Sequence, residues 1–195
     1  FHSFRLRPPH IDITLIRHGE TPWNSLGKVQ GQADIPLSDL GMQQAQKLHF
    51  QMQSQLSTYT AIYTSPMQRA IQTAHILQGS SKIPIIADDR LNSRNLGDYS
   101  GRTLEDIRNQ SPATFALWRN GDPSFRPPNG ESTHEMIDKL QAFLTFLSIE
   151  YPSDSKFFIV THRESVGALM NLLGTAPNDA LTGISNCVPY HFSFN

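Results

Sequence analysis

The stretch "LIRHGETPWN", residues 15–24, carries an apolar run straight into an arginine, a histidine and a glycine. The run begins with "IDITLI" (11–16), whose isoleucines and leucines read as the first strand of a sheet. In an open α/β sheet, ligands are met just beyond the carboxyl ends of the strands. Two cationic side chains at such an end, Arg17 and His18, therefore point to an anion site. Taken alone, the triplet fits a polar surface turn as well, and the rest of the chain has to decide.

Two further segments present the same kind of ending. The apolar strand "KFFIV" (156–160) runs through Thr161 into His162. The short strand "AIYTS" (61–65) runs into "SPMQRAIQTAHILQG", where Ser65 is expected as the helix cap, Pro66 at the first helical position and Arg69 one turn in. At one sheet edge these segments bring two imidazoles and two guanidiniums together. Their shared chemistry is phosphate: arginine offers a planar fork of donors, a helix N-terminus adds partial positive charge, and an imidazole can attack phosphorus. Metal ligation would call for carboxylate or cysteine neighbours at ligand spacing, and none accompany these histidines.

The segments between are helical patterns alternating with strands, as in a three-layer α/β/α sandwich with a mostly parallel central sheet. "PLSDLGMQQAQKLHFQMQSQL" (36–56) has Ser38 as an N-cap and Ala45, Leu48, Met52 and Leu56 on one face. Ala70, Thr73, Ala74 and Leu77 line the next helix before Gly79, and "IPIIA" (83–87) is a third strand. Residues 88–130, rich in Asp, Asn, Pro and Gly, read as an elaborated loop region with short helices at 103–109 and 112–119. "STHE" (132–135) is a capping box opening a helix with a stripe of Met136, Leu140, Phe143, Leu144 and Leu147.

At 195 residues the chain has the length of one domain, expected over 11–195, with 1–10 read as a leader, a tag remnant or the edge of a longer polypeptide. Sixteen Lys and Arg against 17 Asp and Glu leave no broad basic field for nucleic acid or an anionic membrane, so any anion site is local. No apolar stretch reaches membrane-spanning length. A single cysteine, Cys187, excludes an internal disulfide and suits a reducing, cytoplasmic setting.

With these motifs in order, the chain resembles the histidine phosphatase superfamily, the phosphoglycerate mutase-like proteins. "LIRHGETPWN" resembles the nucleophile motif, "GKVQGQADIPLSDLGMQQA" the segment after it, "YTSPMQRAIQTA" the second arginine motif, "PPNGES" the Pro-Gly-Gly-Glu-Ser element and "IVTHRES" the second histidine. The resemblance spans residues 13 to about 173. It implies a phosphoglycerate mutase-like fold and an enzyme in which His18 becomes a phosphohistidine. Arg17, Arg69 and His162 would bind the phosphoryl oxygens with help from Asn24, and Thr21 and Gly31 would line the pocket. Arg94 and Arg163 are added as substrate-binding cations. The substrate implied is a small phosphorylated metabolite, with inorganic phosphate as another ligand of the pocket and with no metal and no cofactor.

Two positions depart from that pattern. In "DDRLNSRNLGDYSG" (88–101) Ser93 stands where the superfamily usually has the glutamate that protonates the leaving oxygen. A serine hydroxyl is far too weak an acid for that task, although it can donate a hydrogen bond. The expectation is a slow phosphomonoesterase, with Glu164 and Asp98 as alternative acids and Asp89 and Glu105 as remoter ones. The second departure is "THRES" (161–165), with Arg163 and Glu164 after the histidine where glycine is common. The short 98–130 region favours hydrolysis over a mutase reaction, and Trp23, Trp118, Phe125, Pro127 and Pro128 are expected to wall the entrance. A phospho-ligand binding or scaffolding domain that kept the pocket and lost the acid stays open beside the phosphatase, as does mutase-type transfer.

Overall fold

The computed structural model describes residues 10–174 and 183–195. The leader expected over 1–10 lies outside them except for His10, whose imidazole reaches Asp12 and Asp154 at the start of the fold. Four strands run parallel: β1 (Ile11–Arg17), β2 (Ala61–Thr64), β3 (Ile85–Ala87) and β4 (Lys156–Thr161). With an antiparallel β5 (Tyr190–Phe194) they form one sheet in the order β3-β2-β4-β1-β5.

Alternation along β1 and β4 assigns the two faces. Ile13, Leu15, Phe157 and Ile159 belong to a core with α6 (Thr133–Glu150) and α7 (Arg163–Leu172). Ile16, Phe158 and Val160 belong to a core with α2 (Asp39–Met52) and α3 (Gln68–Gln78). The expected three layers are therefore present, because strands apolar on both faces must be covered on both. Each large apolar side chain fully removed from water contributes about 1.5–3 kcal/mol, and the α6 stripe of Leu140, Phe143, Leu144 and Leu147 is buried throughout. Between α1 (Pro22–Ser25) and α6, two short helices, α4 (Leu104–Gln110) and α5 (Pro112–Arg119), cover the carboxyl edge of the sheet. They fold around a satellite core of Val29, Leu96, Tyr99, Ile107, Trp118 and Phe125.

Register is what positions the site. Arg17 pairs with Thr161 across β1 and β4, so His18 and His162 leave the sheet at the same height. Thr64 pairs with Val160 and the Ser65 amide donates to the Val160 carbonyl, which brings Ser65 to that level too.

Several expectations need correction. The helix after β2 begins at Gln68 with Met67 at the cap position, so Ser65 and Pro66 precede it and Arg69 is its second residue. The Ser65 hydroxyl accepts the Met67 amide and faces His162 instead of closing a helix turn. Strand β3 is three residues long, since Pro84 cannot donate to the sheet ladder. Ser132 caps Glu135 as expected, but the Glu135 carboxylate pairs with Arg126, so the reciprocal half of the capping box is not formed. Helix α7 and strand β5 were not read from the sequence. The first follows directly on the His162 motif and the second pairs on the edge of β1.

Candidate active site

A cavity of about 210 Å³ opens at the carboxyl edge of β1 and β4. Arg17, His18, Arg69 and His162 line it together, with Asn24, Gly31, Ser93, Arg94, Arg163 and Glu164. The His18 and His162 ring centroids are 5.2 Å apart.

His18 is 3 % exposed, and its Nδ1 lies 2.6 Å from the Gly19 carbonyl oxygen. A carbonyl can only accept, so that contact places the ring proton on Nδ1 and leaves the Nε2 lone pair for attack. Burial first, then the charges of Arg69 and Arg17, hold the imidazole down to about 3, which keeps it neutral at physiological pH. The loop is fixed from several sides. Gly19 donates to Thr73 Oγ1, Asn186 Nδ2 donates to the His18 carbonyl at 2.7 Å, and Glu20 receives both the Ser38 amide and its hydroxyl.

Arg69 is 1 % exposed and is gripped by two backbone carbonyls, with Nη1 on Ala33 and Nη2 on Gly31, each at 2.7 Å. Gly31 stands at φ +52, a left-handed conformation that suits glycine, and so aims its carbonyl at the guanidinium. Arg17 Nη1 donates to the Ile184 carbonyl at 3.0 Å. Burial lowers both guanidiniums to about 10, still charged at neutral pH. Among the described residues, Arg17 Nε, Arg69 Nε and His162 Nδ1 are buried polar atoms without a hydrogen-bond partner.

Asn24 is anchored by its own turn: its Oδ1 accepts the Thr21 amide, which leaves the Nδ2 end as donor. Thr21, expected in the pocket wall, is instead fully buried and caps α1 while donating to Gln30. Arg94 borders the cavity, and four of its five N–H donors are engaged by the Glu131 and Phe125 carbonyls, Thr133 Oγ1 and Glu164. Those four contacts make it a buried brace between the loop and Glu164. Glu164 accepts from Arg94 at 3.0 Å and from Trp118 Nε1 at 3.2 Å, one donor on each oxygen. Asp98 lies away from the cavity lining and accepts from Asn129, and Asp89 and Glu105 are likewise outside it. Ser93 lines the cavity, 6 % exposed.

Of the expected aromatic wall, Trp118 lines the pocket, whereas Phe125 and Pro127 are buried behind it, Pro128 is exposed and Trp23 sits under Lys28. Lys28, Gln30, Leu96, Leu104 and Arg119 also line the cavity. Lys28 and Gln30 fall in the quoted "GKVQGQ" segment without having been singled out, while Leu96, Leu104 and Arg119 carried no sequence signal and arrive from the loop and helices between Ser93 and Asn120.

The sequence model of the histidine phosphatase superfamily (branch 1) matches residues 13–194. The chain belongs to that superfamily. Among curated relatives, a probable phosphoglycerate mutase GpmB of Yersinia enterocolitica is 34% identical over 169 residues, covering 86% of this chain and 77% of that one. Among solved superfamily folds, Bacillus stearothermophilus YhfR aligns with TM-score 0.80 at 30% identity, over 93% of this chain and 90% of that one. A mycobacterial glucosyl-3-phosphoglycerate phosphatase aligns with TM-score 0.82 at 27% identity, over 94% and 90%.

Proposed function

We propose that the protein is a phosphomonoesterase that works through a phosphohistidine on His18. The observation that carries this reading is the set of unpartnered buried polar atoms, Arg17 Nε, Arg69 Nε and His162 Nδ1, on side chains around the His18 ring. Buried polar groups are almost always satisfied, and a tetrahedral anion would satisfy these. In the first step His18 Nε2 bonds to phosphorus as the P–O bond to the leaving group breaks, and Nδ1–H keeps its hold on the Gly19 carbonyl. In the second, water attacks phosphorus, the N–P bond breaks, and inorganic phosphate leaves with the water's remaining proton passed to solvent or phosphate. Arg17, Arg69, His162 and the Asn24 amide stabilise the transferring group, as positioning and charge do in phosphoryl transfer generally.

The first step needs a proton on a basic leaving oxygen. Ser93 cannot supply it as a carboxylic acid would, and both oxygens of Glu164 are committed as acceptors. We therefore expect slow turnover of alkyl phosphates. The same two facts favour a second reading, a phospho-ligand binding domain that retains the pocket. The names of relatives keep phosphoryl transfer to a second hydroxyl as a third.

The test is a panel of phosphate esters with His18→Ala as control, run with and without chelator. Turnover lost in His18→Ala, insensitive to chelator and accompanied by an acid-labile labelled protein supports the esterase. Labelled phosphate on an added alcohol, in place of free phosphate, would move the assignment to a mutase. Oxyanion binding without any turnover would move it to a binding domain.

A further inference from the structure

We infer that Ser65 sets the tautomer of His162, its hydroxyl donating to Nε2 so that the ring proton sits on Nδ1 and is presented to the bound phosphoryl group. This rests on the proposed phosphoryl site and adds a positioning residue to it. Ser65 is fully buried, and its Oγ lies 2.7 Å from His162 Nε2. The same oxygen accepts the Met67 amide at 3.2 Å. A hydroxyl has one proton to give, and among the described residues the acceptor in reach of it, besides its own turn, is Nε2. If instead Nε2 carried the proton, the oxygen would accept twice and its own hydrogen would be buried with nothing to bind. Nδ1 would then turn a lone pair toward the oxyanion.

The proton inventory thus selects Nδ1–H, and that atom is the buried ring nitrogen of His162 left without a partner. The placement comes from the fold. Ser65 is the first residue beyond β2 and His162 the first beyond β4, and the two strands are paired at Thr64 and Val160. The departure of Ser65 from its expected capping role is what frees the hydroxyl for this contact. Fixing a tautomer from behind is the service that an orienting hydrogen bond gives a working histidine elsewhere.

The direct test is ¹⁵N NMR of the full chain, with His162→Gln used to assign the ring signals. A protonated Nδ1 and an acceptor-type Nε2 on His162 are expected in the free protein, with Nδ1–H shifting on titration with inorganic phosphate. In Ser65→Ala the ring should become a mixture of tautomers, phosphate affinity and kcat on p-nitrophenyl phosphate should fall about 10- to 100-fold, and Ser65→Thr should restore both the spectrum and the rate. A wild-type ring protonated on Nε2 overturns the inference, whatever the variants do. So does a folded Ser65→Ala protein with unchanged tautomer and phosphate affinity. If the protein hydrolyses no ester at all, the esterase reading fails while the ring shifts and the phosphate titration still decide the role of Ser65.

Discussion

Arg94 and Glu164 are joined by a 3.0 Å ion pair in which the arginine side chain is 2% exposed and the glutamate 25%. The arginine is the more deeply buried partner, so the carboxylate serves it more than the reverse. Replacing Glu164 by Gln keeps the shape and removes the charge. It should cost about 1–3 kcal/mol in urea unfolding at neutral pH, the range for weakening a charged hydrogen bond at a buried group. Because Glu164 is a brace in this account and not the acid, kcat should fall by similar factors on alkyl and aryl phosphates. A loss confined to alkyl esters would make Glu164 the proton donor.

Gly41 offers a second test, linking packing to chemistry. A Cβ there would lie 2.1 Å from the Glu20 carbonyl oxygen, and backbone at that distance cannot yield as a side-chain tip can. The start of α2 is thereby pressed against the loop two residues past His18. Gly41→Ala is expected to unfold at lower urea and, in the folded fraction, to lower kcat at least tenfold by displacing the His18 ring. An unchanged rate per folded molecule would show that the loop absorbs the shift.

The two histidine strand ends, the arginine after β2 and the helix stripes were legible because each is written in local periodicity and in the residue at an element's end. Asn24, Gly31 and Ser93 likewise reached the cavity. What the sequence hid depends on which partner each side chain takes in the fold. Thr21 looks like a pocket residue until Gln30 and the turn of α1 claim its hydroxyl. Arg94 looks like a free cation until the carbonyls of Phe125 and Glu131 close around it, 31 and 37 residues away. Ser65 looks like a helix cap until strand pairing brings His162 beside it. Strand β5 does alternate aromatic and polar residues over Tyr190–Phe194, a strand signal that went unread, but its place on the edge of β1 is a tertiary fact.

Stability should fall with acid through a window set by the site histidines. His18 is lowered to about 3 by burial and by Arg69 and Arg17, and His162 is lowered by burial and by Arg69, His18, Lys139 and Arg17. The unfolded chain titrates these rings near 6.5, so below that pH it binds protons that the folded site refuses, and folding weakens as pH drops toward 3. Each tenfold loss of proton affinity is worth about 1.4 kcal/mol. Urea midpoints measured in phosphate-free buffer should therefore drop from pH 7 to pH 5, and His18→Gln with His162→Gln should flatten the slope. Added inorganic phosphate should flatten it as well, by bringing negative charge to the rings. An identical slope in the double variant would assign the acid sensitivity to other groups.

Ser93 makes the sharpest prediction, with the leaving group as probe. An aryl phosphate such as p-nitrophenyl phosphate expels a weakly basic phenolate that hardly needs a proton, whereas an alkyl phosphate expels a strongly basic alkoxide that does. General acid catalysis is typically worth about 10²- to 10⁴-fold, and its absence should be felt mainly by the alkyl esters. Position 93 lines the cavity with His18 and His162, so a carboxylic acid built there would face the same bound phosphate. Ser93→Glu should raise kcat/KM on alkyl phosphates by up to that factor and change the aryl rate much less. The site is 6% exposed, and a glutamate placed there must carry its proton when the ester bond breaks, with burial favouring the protonated form and the cations of the cavity opposing it, so the gain should shrink as pH rises. If the parent protein is already fast on alkyl esters and Ser93→Glu leaves that rate flat, the proton has another source. Comparing Glu164→Gln and Asp98→Asn on the same two esters would then locate it.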